Sequence, residues 1–176
     1  SSTTCAAPLV RTFNVTDSFN VIDVDLGVFI THTWRGDSRI TLESPDGTRV
    51  QLVDGDDSSV SGDNFNVRLD DDATQTVNTD SATGGHSTAA PPPFDNTFSP
   101  NSPLSAFNGV SSNGTWRLEI CDIFPSADNG TFQHAELYLT AAPSNFADLS
   151  LTKALIGSPP VQGGTASWRL TLTNDA

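Results

Sequence analysis

Ile22-Asp23-Val24-Asp25-Leu26-Gly27-Val28-Phe29-Ile30-Thr31 decides the fold class. Ile22, Val24, Leu26, Val28 and Ile30 occupy every second position, and Asp23, Asp25, Gly27, Phe29 and Thr31 fill the places between. A period of two is that of a strand, whose successive side chains point to opposite faces. A helix would scatter the same residues around its circumference. The alternation recurs outward from this stretch. Ile40 and Leu42 alternate with Arg39, Thr41 and Glu43, and Val50 and Leu52 with Arg49 and Gln51. Ser44-Pro45-Asp46-Gly47 between them is a turn signal, so residues 40–53 are predicted to form a hairpin. Trp116, Leu118 and Ile120 alternate with Arg117, Glu119 and Cys121; Ala135, Leu137 and Leu139 alternate with Glu136, Tyr138 and Thr140. No stretch carries a helical period. Short alternating strands with turn residues between them predict an all-β chain, an antiparallel β-sandwich or jelly roll without significant helix.

Two regions break the alternation. Residues 54–80 hold eight Asp and a single Arg, Arg68. Residues 81–103 are rich in Gly, Ser, Thr and Pro and contain Pro91-Pro92-Pro93, which predicts a long surface loop, partly extended as polyproline II. Composition shifts again at Pro143, and Ala141-Ala142-Pro143-Ser144-Asn145 has the character of a linker. The expected division is a domain over residues 1–143, then a linker and the first strands of a second unit over 144–176.

The formal net charge is -13, which opposes nucleic acid and anionic membranes as partners. No run of about 18 apolar residues predicts a membrane span. Of the acids, 18 are Asp and three are Glu, and Lys153 is the single lysine. Asp favours turns where Glu favours helix, so the acids are expected in loops. That balance fits an extracellular protein that holds hard cations, or a surface solvated for high salt. Cys5 and Cys121 have no CxxC or Cys/His cluster around them, which opposes a zinc or redox site. In a secreted chain they form either a disulfide or two separate thiols.

Four segments carry a family resemblance. Ile30-Thr31-His32-Thr33-Trp34-Arg35-Gly36-Asp37 resembles the signature of the P (Homo B) domain of kexin-like and furin-like proprotein convertases, with Ser38 where the family usually has Leu. Leu42-Glu43-Ser44-Pro45-Asp46-Gly47-Thr48, Gly114-Thr115-Trp116-Arg117-Leu118-Glu119-Ile120-Cys121-Asp122 and Gly130-Thr131-Phe132 before Ala135–Leu139 resemble the next three family elements, in family order. His32, Arg35, Gly36 and Trp116 are the motif residues expected to be structural. The resemblance spans residues 8–141. It implies a non-catalytic, calcium-binding accessory domain that stabilises or positions a secreted subtilisin/kexin-like serine endopeptidase. The tail from Ala147-Asp148-Leu149-Ser150-Leu151-Thr152-Lys153 resembles the start of a bacterial surface repeat of the DUF11 type. It implies the alternative, an adhesion or binding module of a large bacterial surface protein. On either reading the chain is extracellular or at the cell surface. Its expected partners are adjacent protease or repeat domains of the same polypeptide, and it is expected to be a monomer that inserts into no membrane.

Catalysis finds no motif. The sequence has neither a Gly-x-Ser-x-Gly elbow nor a Gly-Thr-Ser nucleophile segment. Of the histidines, His86 falls in the Gly/Ser loop, His134 in an expected turn, and His32 in phase with Val28 and Ile30, so that it should point inward as a neutral residue with both nitrogens hydrogen-bonded. Calcium takes six to eight oxygen ligands. No EF-hand pattern closes after Asp54, Asp56 and Asp57, so a Ca2+ site must be assembled from separate loops. Asp37, Asp70, Asp71 and Asp122 are the expected ligands at one rim of the sandwich, with Asp23 and Asp25 a second pair. Arg35 or Arg39 could instead neutralise an acid.

Overall fold

A computed structural model describes residues 4–55, 62–77, 86–127, 129–143 and 149–174. The chain divides into two compact units, Ser1–Ala142 and Pro143–Ala176.

The first unit is a β-sandwich. One sheet orders its strands β1 (Leu9–Val15), β7 (Gly114–Asp122), β3 (Ser38–Glu43) and β4 (Arg49–Val53). The other orders β6 (Asn96–Phe98), β5 (Phe65–Leu69), β2 (Val21–His32) and β8 (Gly130–Ala141). All pairings are antiparallel except β5 with β6, a three-residue parallel edge. Helix among the described residues is limited to 3-10 turns such as Arg35–Asp37 and Leu104–Phe107. The predicted hairpin forms: Ile40–Glu43 pairs with Arg49–Val53, and Asp46 closes the turn by accepting hydrogen bonds from the Ser44 hydroxyl and the Thr48 N–H.

The inner faces supply one core. Val24, Leu26, Val28 and Ile30 from β2 meet Ile40, Leu42, Trp116 and Leu118 from the facing sheet. Ile22 departs from the predicted face. A register shift between Val21 and Asp23 rotates the strand, so Val21 is fully buried and Ile22 is 44% exposed. A bulge adds one residue and moves every earlier side chain to the other face. The opposite face of β2 is also covered: Asp25 and Phe29 are buried there, and the Phe94 ring lies against Gly27.

Phe94 belongs to the stretch predicted as a surface loop, and that prediction needs correction. Pro91–Pro93 lie in a bend rather than a polyproline II run. Phe98 fills the core from β6, as Leu104 and Phe107 do from the following 3-10 turn. His86 is buried too, stacked on Phe98 and edge-on to Phe65, and its Nδ1 accepts the Asn66 N–H. The apolar residues are spaced too irregularly for a period to reveal them.

The outer face of the first sheet is ionic. Arg49 bonds Glu43 on β3 and Glu119 on β7, and the bond from Arg49 is the main cause holding Glu119 below the usual glutamate range. Cys5 and Cys121 are bonded, with 4.9 Å between their Cα atoms and a sequence separation of 116. The disulfide fastens the N-terminal segment to the end of β7, where Thr4 also bridges Asp122.

The second unit is a hairpin of β9 (Leu149–Ile156) and β10 (Ser167–Asn174). Its register puts Leu151, Leu155, Trp168, Leu170 and Leu172 on one face, with Lys153 over the Trp168 ring at 4.3 Å. Ala147 and Asp148 of the tail motif lie outside the described residues. No helix among the described residues is long and apolar enough to cross a membrane.

Candidate functional site

The four family segments meet at contact points. His32 ends β2, where its strand phase turns it inward, and it is 5% exposed. Its Nδ1 accepts the backbone N–H of Trp34 at 3.0 Å, so in the neutral ring the proton sits on Nε2. That nitrogen faces Asp122 Oδ2 at 3.4 Å. Asp122 ends β7 opposite Ser38, and its other oxygen accepts the Phe124 N–H at 2.8 Å. Gly130 begins β8 beside His32, and a methyl group there would overlap the imidazole. The first, third and fourth segments therefore converge on one histidine. Gly114 of the third segment packs on Pro45 of the second, where an added Cβ would stand 2.7 Å from the proline. Trp116 is fully buried, edge-on to Phe107, and its indole N–H bonds the Ser112 carbonyl at 3.0 Å. Arg35 is buried in the turn after β2 and bonds the Asp63 carbonyl at 3.2 Å; Gly36 is buried beside it. All four motif residues are buried.

Ser38, His32 and Asp122 line one cavity, yet they are no catalytic triad. A general base needs one ring nitrogen on its orienting carboxylate and the other on the nucleophile. Here the second nitrogen holds a backbone N–H. His134 lies within β8 rather than in a turn and bonds Glu136 at 2.9 Å.

The proposed calcium ligands occupy two ends of the sandwich. Asp37 and Asp122 share the end marked by His32: the Ile123 N–H bonds the Asp37 carbonyl. Asp70 and Asp71 follow β5, whose last residue, Leu69, pairs with Leu26. Leu26 and His32 are six residue steps apart along β2, about 20 Å. The expected single rim is thereby corrected: antiparallel pairing of β2 with β5 sends the end of β5 away from Asp122. The carboxylates at the far end are also engaged. Asp71 accepts the N–H groups of Leu104 and Ser105, both at 2.8 Å, and Asp70 accepts the Asp72 N–H at 2.8 Å. Asp25 is ion-paired with Arg68, whose guanidinium lies over the Tyr138 ring at 4.5 Å. Arg68 neutralises Asp25. Burial raises the Asp25 pKa despite the partner. Asp23 is exposed beside it. No group of three or more His, Cys, Asp or Glu residues among the described residues is arranged to hold a metal. The proposed set does not fit one calcium centre. Asp56, Asp57 and Asp80 lie outside the described residues.

The same end holds a cavity of about 210 Å³. Leu9 and Arg11 of β1, Ile120 of β7 and Phe132 of β8 form its sides, with His32 and Asp122 buried within it. Sequence reasoning placed His32 inward but missed the cavity, which is made where the edge strands β1 and β8 lie side by side.

Comparison with known proteins bears on the first unit. A family model described as the proprotein convertase P-domain matches residues 21–139. The fold is similar to part of the Aeromonas sobria serine protease solved in complex with its chaperone, at 19% identity and a TM-score of 0.46, over 80% of this chain and 21% of that one. A second structure of the Aeromonas sobria serine protease is similar at 19% identity and a TM-score of 0.39, over 78% and 21%. The chain thus spans about a fifth of the length of those proteases. No curated protein matches it.

Proposed function

This chain belongs to the proprotein convertase P-domain family, and from that membership we propose that it is a non-catalytic accessory domain of a secreted subtilisin/kexin-like protease, which it stabilises or positions. The observation that carries the reading is the family match over residues 21–139. Two features support it. The motif residue His32 is buried, with one ring nitrogen bonded to backbone and the other facing a buried carboxylate. The disulfide suits an extracellular setting. A peptidase assay on the purified chain tests the non-catalytic part. No turnover above a heat-killed control is expected; turnover abolished by His32→Ala refutes it.

Calcium enters this proposal as a counter-ion of the acidic surface. The net charge of -13 attracts divalent cations, while the described carboxylates offer no built cage. An adhesion or binding module of a bacterial surface protein is the second reading. It is favoured by the exposed row Leu151, Trp168, Leu170 and Leu172, since one apolar face of a hairpin calls for further β-structure to cover it.

A further inference from the structure

The cavity at the His32 end is built for a particular kind of guest. His32 and Asp122 line the cavity, and their buried Nε2 and Oδ2 atoms make no hydrogen bond. The side chains are 4% and 7% exposed, and the two atoms stand 3.4 Å apart. Unsatisfied buried polar atoms are costly and call for a partner. The tautomer is set by Trp34, so the pair presents one donor and one acceptor side by side. Leu9, Ile30, Ile120 and Phe132 supply apolar walls beside them. Arg11 lies at the exposed rim, over the Phe132 ring at 4.8 Å.

Complementarity then selects among side chains. A carboxylate would face the Asp122 carboxylate. An ammonium or guanidinium would leave the His32 N–H unpaired and pass Arg11 on entry. An aliphatic group would leave both polar atoms unsatisfied. A primary carboxamide carries an acceptor and a donor on adjacent atoms and satisfies both. Its methylenes match the apolar walls, and a volume near 210 Å³ admits a glutamine-sized side chain. We propose that this cavity is a receptor for a carboxamide side chain, Asn or Gln, presented by the neighbouring protease domain. The proposal rests on the reading above that such a domain packs against this chain.

The test is a titration of the full chain, followed by amide NMR, with three probes: the N-acetyl methylamides of glutamine, glutamate and norleucine. For a ligand of about a dozen heavy atoms the expected Kd is millimolar. The glutamine probe should shift the signals of His32, Gly130 and Thr131, with at least tenfold preference over the other two. Asp122→Asn replaces the acceptor with a donor, so it should invert the preference toward glutamate. Thr131→Trp changes an exposed rim residue and should block all three without altering the melt. Equal response to norleucine, a glutamine response unchanged in Asp122→Asn or Thr131→Trp, or no shifts at tens of millimolar probe each overturns the proposal. A failed titration beside a protease still stabilised in cis by this domain removes the pocket's role and leaves the accessory role standing.

Discussion

Replacing Cys5 and Cys121 together by Ala removes the tie between the N-terminal segment and the end of β7. The size of the effect follows from loop length. The bond closes 116 residues. The chain-entropy relation for a loop of that size gives about 5 kcal/mol at 25 °C, because the cross-linked unfolded chain has far fewer conformations to lose. Cys121 is also buried, so the double variant forfeits a little packing beyond the entropy. For a domain of this size, about 5 kcal/mol corresponds to roughly 10–20 °C in melting temperature. Urea unfolding followed by circular dichroism, with the variant and the dithiothreitol-reduced parent measured side by side, separates the two contributions. Reduction should reproduce most of the loss, and the m-value of the uncross-linked forms should rise as the unfolded chain expands. A loss below about 1 kcal/mol would refute the reasoning, since it would mean that the unfolded chain is already as compact as the bonded one.

Trp116→Phe removes an indole N–H and leaves the buried Ser112 carbonyl without that donor. About 2 kcal/mol of stability, read from the urea midpoint, should be lost; a shift within about 0.5 kcal/mol would show that the bond contributes little. Acid should weaken the fold through Glu119, held low by Arg49, and Glu136, held low chiefly by the Tyr138 hydroxyl. Groups with depressed folded pKa values contribute stability above the ordinary glutamate value of 4.5 and lose it as pH falls through the folded value. Urea midpoints should therefore be flat from pH 7 to about 5 and fall below about 4.5; a midpoint that rises on acidification contradicts this assignment. Millimolar Ca2+ and Mg2+ should raise the melting temperature alike, as screening of the acidic surface requires; a steep drop on chelation alone would reveal a built calcium site instead.

The sandwich was legible because Val24, Leu26, Val28 and Ile30 keep a strict period of two, which puts all four on one face of a strand. Ile22 misled the reading because a bulge leaves no mark in a string of alternating residues. The burial of Phe98 within residues 81–103 was not legible, since that stretch separates its apolar residues by Gly, Ser and Pro. His32 was turned inward by phase, but only its Nδ1 is hydrogen-bonded, where both nitrogens were expected to be. Its partner was not foreseen: Asp122 lies 90 residues on, and only the pairing of Ser38 with Asp122 brings β7 to the end of β2. The roles of the acids were less legible. Among the described residues Asp71 caps a 3-10 turn, Asp46 closes a hairpin and Asp25 holds Arg68. Local bonding to backbone N–H groups uses the same carboxylate oxygens that a cation would.

The accessory role is tested most directly by the thermal inactivation half-life of a protease polypeptide carrying this domain, measured with the domain intact and with residues 9–141 deleted. The account predicts that deletion shortens the half-life or abolishes secretion of active enzyme, with kcat on a peptide substrate unchanged in any enzyme that survives. Equal half-lives and equal yields would contradict it.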